Sequence, residues 1–425
     1  MNIVYLHSHD SGRWIAPYGC GVPTPNLMRL AREGTLFRQA YCAAPTCSPS
    51  RAALLTGQTA HGSGMLGLAH RGFALKDPAR HLALVLKSQG YETALAGVQH
   101  ECDDKAAQAI LGYDPILSVP NEGKSLEERD LANARRAAEY LRSRKRGPFF
   151  LAFGTYNTHR PYPDFSGRVD PGYVAAPAQL PDRPEVRRDM AGYVASAQVM
   201  DAAHGIVLDA LREFGLENET FVFFTTDHGP AFPRMKCSLY DPGIAVALLI
   251  KFPGNPAAGR VLDELVSQVD VFPTLVEAAG IVSAQGLEGR SLLPLLRGEP
   301  QAARAEIFAE VTYHAAYEPQ RCIRTERHKL IRRYGRNKPV LPNMDAGESK
   351  TFLLEQGFAS ELLADEELYD LFLDPAERVN LVASREHQTL RGELGGRLER
   401  WMRETGDPLL QGAVPQPQGA RIEEV

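Results

Sequence analysis

The chain has 425 residues, 23% of them charged, and a formal net charge of −5. That length can bury a large core and fits one big unit plus a smaller one. The mild acidic balance excludes a general affinity for nucleic acid or for an acidic lipid surface. Six cysteines, at 20, 42, 47, 102, 237 and 322, include no C-x-x-C pair and no zinc spacing, which argues against a disulfide framework.

Residues 2–7 are a short apolar run that reads as a core strand from the outset. No basic segment with a long apolar stretch precedes it, and no apolar run of about 20 residues follows. The expectation is a cytoplasmic protein with no membrane partner. His7-Ser8-His9-Asp10-Ser11-Gly12 then turns out of the strand, at the place where open α/β sheets put their ligands. Thr24-Pro25 caps a helix ending at Gly34, and Leu36–Phe37 starts a second strand. Residues 79–89 predict an amphipathic helix stopped by Gly90. Tyr91–Gly97 is a strand, with His100 past its end. A polar helix over 126–143 ends in the basic run Arg142 to Arg146, most simply a solvated helix terminus. Phe149–Gly154 is a strand followed by Asn157-Thr158-His159-Arg160-Pro161. A long helix covers 185–214, and Phe221–Thr226 is a strand that leads directly into Asp227-His228-Gly229. Ala245–Phe252 reads as a buried strand and Val269–Ala279 as a helix.

After about residue 300 the texture changes. Glu306–Thr312, Arg321–Arg324, His328–Tyr334 and Leu368–Phe372 read as short strands, a last helix covers 386–403, and the tail from Pro408 reads as surface. The alternation predicts an α/β fold. A large, mostly parallel, doubly wound sheet flanked by helices occupies 1–300. A smaller α+β unit with an antiparallel sheet occupies 301–425.

Residues Ala44 to Gly57 read Ala-Pro-Thr-Cys-Ser-Pro-Ser-Arg-Ala-Ala-Leu-Leu-Thr-Gly. Cys47 falls at the expected helix N-cap, Pro49 in a first turn where its missing N–H costs nothing, and Gly57 at the left-handed C-terminal position. Cys47 and Arg51 are four apart and share a face. A helix N-terminus gathers free N–H groups and favours an anion. A reactive side chain there, with a guanidinium one turn on, suits attack on a sulfate or phosphate ester. The residues alone equally allow a buried, inert cysteine.

Four strands end in His or Asp: His9 and Asp10, His100, His159, then Asp227 and His228. Any one alone reads as a cap or turn residue. Four at equivalent topological positions read better as one shared site. Asp10, Asp227 and His228 would converge on a metal ion, with His9 either a fourth ligand or a hydrogen-bonding neighbour of the ligands.

Cys47-Ser48-Pro49-Ser50-Arg51, with Thr56-Gly57 closing the helix, resembles the type I sulfatase signature of the alkaline phosphatase superfamily. In that family the cysteine is converted to formylglycine, an aldehyde. The resemblance extends through Gly64-Met65-Leu66-Gly67-Leu68, Asn157 to Pro161, Val266 to Thr274, Gly286 to Leu292, Glu367 to Leu371, Asp374-Pro375 and Asn380-Leu381. It covers nearly the whole chain and is strongest to the N-sulfoglucosamine sulfohydrolase branch.

The resemblance implies a sulfatase that acts on a sulfate ester or sulfamate of a small sulfated sugar. Hydrated formylglycine at Cys47 would attack sulfur, with Arg51 holding the hydrate and the anion. His100 and His159 match the family's two active-site histidines; His159 is assigned as acid and His100 as base. Lys236 matches the lysine that grips the sulfate, with Arg234 as the fallback. One divalent cation would sit on His9, Asp10, Cys47, Asp227 and His228: calcium by resemblance, manganese by its imidazole ligands. A formylglycine-generating enzyme is the implied maturation partner, and a homo-oligomer is left open. Tyr313, His314 and Arg321 are candidates for a sugar-pocket wall.

Two departures stand out. Gly97-Val98-Gln99-His100 replaces the family's Gly-Lys-x-His, so another cation must supply the missing charge, and His9 replaces the first Asp. They motivate an alternative, an inactive relative that binds sulfated ligands. A second alternative is a phosphonate monoester or phosphodiester hydrolase of the same superfamily. Those enzymes share Asp-His-Gly but typically carry an acidic residue next, where this chain has Pro230.

Overall fold

The computed structural model describes residues 1–120, 123–144, 147–282, 286–299 and 304–425. The expected unit boundary at 300/301, and Lys145 and Arg146 of the basic run, lie outside these. The large sheet has seven strands: β1 (Asn2–Ser8), β2 (Thr35–Tyr41), β3 (Glu92–Gly97), β4 (Phe149–Gly154), β5 (Thr220–Thr226), β6 (Leu248–Lys251) and β7 (Val261–Ser267). Their order is β3-β4-β1-β5-β6-β2-β7. The block β3-β4-β1-β5 is parallel throughout, and β6 is antiparallel to both its neighbours.

β1 sits between β4 and β5, with Ile3 opposite Phe150 and Phe221. A strand enclosed on both edges and both faces has no solvent side. This is why residues 2–7 read as a continuous apolar run rather than an alternation. The helices Pro25–Glu33, Leu126–Arg142 and Pro184–Glu213 cover one face. The other face packs on the Cys47 helix, and its core runs on into a second sheet without a break.

That second sheet has the order β11-β10-β9-β8 and is antiparallel. It comprises β8 (Glu306–Tyr313), β9 (Tyr317–Thr325), β10 (His328–Arg333) and β11 (Glu366–Asp370). The helix Gln388–Glu404 packs on it, with Trp401 stacked on Phe308 at 4.8 Å. All six cysteines are free. Among the described residues no helix is long and apolar enough to cross a membrane.

Several expectations are corrected. β7 is an unforeseen strand: its burial is irregular and its residues mix charge with apolar positions. The strand expected over 245–252 spans only Leu248–Lys251, because Asp241–Ile244 is a short helical turn just before it. The helix expected at 79–89 begins at Leu82, where the His81 ring caps it by accepting from the Ala83 N–H. Arg144 is not solvated but lies over Phe149 and pairs with Glu92. The tail is docked: Leu409 and Val414 are buried, Tyr313 donates to the Val414 carbonyl, and Glu423 N–H reaches Ala315 O.

Candidate active site

The carboxyl ends of β3, β4, β1 and β5 lie side by side, so the residues that follow them meet above one edge of the sheet. His9 and Asp10 follow β1, Asp227 and His228 follow β5, and His100 and His159 follow β3 and β4. The His9 ring has His100 on one side at 4.6 Å and His159 on another at 5.3 Å, both edge-on. Thr158 ties two of these loops together by donating its hydroxyl to the carbonyls of His9 and Asp10. His100 and Asp10 both take positive φ, 84° and 42°. That conformation is costly for non-glycine residues and collects at functional sites.

Cys47 is the first residue of its helix, and Thr46 rather than Cys47 is the N-cap. Its Sγ is 3.4 Å from His228 Nε2. His228 Nδ1 donates to the Gly229 carbonyl at 2.9 Å. Burial lowers the ring, but Asp227, Cys47 and Asp10 outweigh it and raise it to about 9, so Nε2–H is a second donor and faces the sulfur. Burial pushes the thiol up, but Lys236 and His228 outweigh it and hold it down to about 7. A thiol held below its ordinary value by two cations on a helix N-terminus is the setting of a reactive cysteine rather than an inert one.

Arg51 lies one turn further on and is fully buried. It donates to Asp227 Oδ2 (2.9 Å), to the Ser8 carbonyl (3.0 Å) and to His7 Nδ1 (2.5 Å). The guanidinium expected to hold an anion is thus engaged first with Asp227. Gly154 makes room for this arrangement: a Cβ there would fall 2.2 Å from His7 Cε1. Asp227 Oδ1 accepts from the backbone N–H groups of Asp10 and His228. Burial raises the Asp227 carboxyl, while His228, Arg51 and His9 hold it well below the ordinary carboxylate range.

Lys236 is buried and donates to Asp10 Oδ2 at 3.0 Å, and it pairs with Asp345 at 3.1 Å. Arg234, the fallback cation, is turned away over the Tyr240 ring at 4.8 Å and faces Glu361. Val98, where the resemblance misses a lysine, is wholly buried. Of Lys236 and Arg234, it is Lys236 that joins Arg51 at the centre.

His9, Asp10, Cys47 and Asp227 each offer a ligand atom, and those atoms all lie within 4.8 Å of one another. His228 Nε2 lies 3.5 Å from Asp10 Oδ1 and 3.7 Å from Asp227 Oδ2. His9 Nε2 and Asp10 Oδ1 are buried without a hydrogen bond, and His9 Nδ1 meets only the carboxylates, 3.1 Å from Asp227 Oδ2 and 3.7 Å from Asp10 Oδ1. Buried polar atoms that converge without partners are what a cation site requires, so the residues fit a divalent metal. Burial and Arg51 pull His9 down, yet Asp227 and Asp10 lift it to about 10. The carboxylates that favour a proton there equally favour a cation, whose binding would displace it.

Residues unmarked in the sequence reading brace these groups. Asp130, on the helix Leu126–Arg142, accepts from the N–H groups of Tyr156 and Asn157 and fixes the His159 loop. Ser50 bonds the Asp227 carbonyl and Gln268, which in turn donates to the Thr226 carbonyl. Nothing in their spacing marks them, since hydrogen bonds across the fold leave no local pattern. Of the proposed pocket-wall residues, His314 stands within electrostatic reach of Lys236 and Asp345. Arg321 is buried in ion pairs with Glu310 and Asp407, and Tyr313 packs on Phe73 and Tyr317; neither lines the cleft.

A thiol at a helix start, a set of converging ligand atoms and a buried lysine thus meet at one edge of the sheet. Residues 2–281 match the Sulfatase family and residues 234–341 match the family "N-sulphoglucosamine sulphohydrolase, C-terminal". The chain belongs to the sulfatase family and is a sulfuric ester hydrolase. It is 30% identical to human N-sulphoglucosamine sulphohydrolase, an alignment covering 96% of this chain and 91% of that one. It is 27% identical to an ulvan-active sulfatase of Formosa agariphila, over 98% of this chain and 82% of that one. In fold it resembles a protein solved with its substrate D-glucosamine-2-N,6-O-disulfate: TM-score 0.74, 19% identity, 96% of this chain and 98% of the other.

Proposed function

We propose that the protein hydrolyses a sulfate ester or sulfamate on a small sulfated amino sugar, with residue 47 matured to formylglycine. The position of Cys47 carries the reading. It sits at a helix N-terminus, 3.4 Å from His228 and inside the donor set of His9, Asp10 and Asp227. The similarity of residues 234–341 to the N-sulphoglucosamine sulphohydrolase C-terminal family supports the amino-sugar class.

Matured residue 47 supplies a hydrated aldehyde as nucleophile, and a divalent cation supplies Lewis acidity beside it. The chain's own residues do the rest. Asp10, Asp227, His228 and His9 would hold the cation, and Arg51 keeps Asp227 ionised and aimed. Lys236 donates to a sulfate oxygen and supplies the charge that Val98 lacks. His159 has its Nδ1 bonded to the Arg160 carbonyl and its ring on the cleft wall, where it protonates the leaving oxygen or nitrogen. His100, the proposed base, is held neutral by burial and by the His9 and Arg51 charges, which keep its lone pair free and also weaken it as a base. Two imidazoles among the ligands favour manganese; the family resemblance favours calcium. Titration calorimetry with each ion separates them.

Asp227-His228-Gly229 also suits a phosphonate monoester hydrolase. The test is protein coexpressed with a formylglycine-generating enzyme, assayed on matched aryl sulfate, aryl phosphonate and glucosamine N-sulfate. Faster turnover of sulfates supports the proposal. Faster turnover of phosphonate replaces it, and ligand binding without turnover favours the binding-only alternative.

A further inference from the structure

Beside the reacting centre lies a cleft of about 670 Å³, lined by His159, Arg160, Tyr162, Arg188, Asp345 and Glu348 among others. That is a small-molecule size. Most of its charges are already paired within the chain. Arg160 clamps Asp189 through two bonds of 2.7 and 2.9 Å, and Arg188 holds Glu348. Asp345 differs. Among the described residues its carboxylate has a single partner, Lys236 Nζ at 3.1 Å from Oδ2. Oδ2 is buried and makes no hydrogen bond of good geometry, and among the described residues no hydrogen bond reaches Oδ1.

The loop bearing Asp345 is built to hold it there. Asn343 accepts from the Ala316 N–H and donates to Glu318. Lys350 Nζ donates to the carbonyls of Leu341 and Met344. Ser349 N–H is taken by Asp189, so the loop and the Arg160 clamp share a partner. A rigid, half-buried carboxylate with open acceptor sites, on the wall of a cleft and against the sulfate-binding lysine, is a place for a substrate hydrogen-bond donor.

We propose that Asp345 is a specificity-determining residue. It accepts a hydrogen bond from a hydroxyl or N–H on the ring carbon next to the one bearing the scissile group. The inference rests on the amino-sugar reading above. Sulfate oxygen and neighbouring donor would meet two groups, Lys236 and Asp345, that themselves touch. A ligand bridging them must therefore carry anion and donor on adjacent positions. The selected substrates are sugars sulfated beside a free hydroxyl, rather than isolated aryl sulfates.

The test compares wild type and Asp345→Asn on three probes: glucosamine N-sulfate, its 3-deoxy analogue and 4-nitrophenyl sulfate. A hydrogen bond to a charged acceptor is worth about 10- to 100-fold. Wild type should prefer the hydroxylated sugar over the deoxy analogue by that factor, and Asp345→Asn should lose the preference. The variant should lose more turnover on glucosamine N-sulfate than on 4-nitrophenyl sulfate, and its thermal melt should match that of wild type, which a loss of folding would not allow. An equal fall on all three probes would overturn the proposal, since Asp345 would then act only by holding Lys236. Equal wild-type turnover of the sugar and its deoxy analogue would also overturn it. If wild type turns over no sulfate at all, the functional reading fails separately. Calorimetric binding of glucosamine N-sulfate then decides: weaker binding by Asp345→Asn sustains the role, and unchanged binding removes it.

Discussion

Two buried clusters of ionisable residues meet the geometric demands of a metal site: His9, Asp10, Cys47 and Asp227, and His61, Glu310 and Asp407. The second is closed. Arg321 pairs with Glu310 at 3.2 Å and takes Asp407 through Nε and Nη2, while His61 Nδ1 bonds Glu310 at 2.9 Å. Its positive charge is already inside, and it joins the large sheet's side of the core to β8, β9 and the docked tail. The first cluster is open. Arg51 and Lys236 each take one oxygen of a different carboxylate, and His9 Nε2 and Asp10 Oδ1 make no hydrogen bond. Both clusters keep buried atoms without a hydrogen bond, His61 Nε2 and Glu310 Oε2 in the second among them. The lesson is that proximity of ligating groups does not define a site; what sets the second apart is one guanidinium spanning both of its carboxylates.

The comparison breaks first at the closed cluster. Glu310→Ala leaves Arg321 and His61 buried with less compensation and should cost about 3–5 kcal/mol of stability. Denaturant unfolding measures this, and kcat of the folded fraction should be unchanged. The pH dependence has a definite sign. His61 and Arg321 overcome burial and hold Glu310 down to about 2 in the fold. Its stabilisation is therefore full above the ordinary glutamate value of about 4.3 and is lost as pH falls toward 2. Glu310→Gln should flatten that loss.

The open cluster should respond in activity. Lys236→Met should lower kcat/KM on a sulfate ester by about 10²–10³, the cost of one transition-state charge donor. Arg234→Ala should stay within about threefold. An equal loss from both would place the anion elsewhere. A smaller effect is stabilisation by metal: ion at 100 times its Kd should add about 2.7 kcal/mol. Thermal melts should show that gain in wild type and in Asp407→Asn, and should not show it in Asp227→Asn.

The subtlest effect is in pH. Burial and Lys236 lower the His159 pKa below the ordinary imidazole value of about 6.5. As a general acid it works only when protonated. The alkaline limb of kcat/KM should therefore fall below that value, and His159→Gln should remove the limb.

The sequence made the parallel block and its four loaded strand ends legible, because buried strands are apolar runs and His or Asp after each is conspicuous. Helix punctuation put Cys47 and Arg51 on one helix face, and the resemblance to the sulfatase signature separated the reactive reading from the inert one. What stayed hidden depends on distance in the fold. Asp345 and Asp130 lie far from the motifs, and only packing brings them to Lys236 and the His159 loop. Arg321 carries the same charge as a pocket residue would, and only burial against Asp407 and Glu310 reveals its structural role. β7 was missed because its irregular burial erases the strand alternation.

The most direct test of the account is the mass of the peptide containing Cys47, from protein made together with a formylglycine-generating enzyme. An aldehyde or its hydrate is expected at residue 47. An unmodified thiol under those conditions would contradict it and leave the open cluster as a binding site alone.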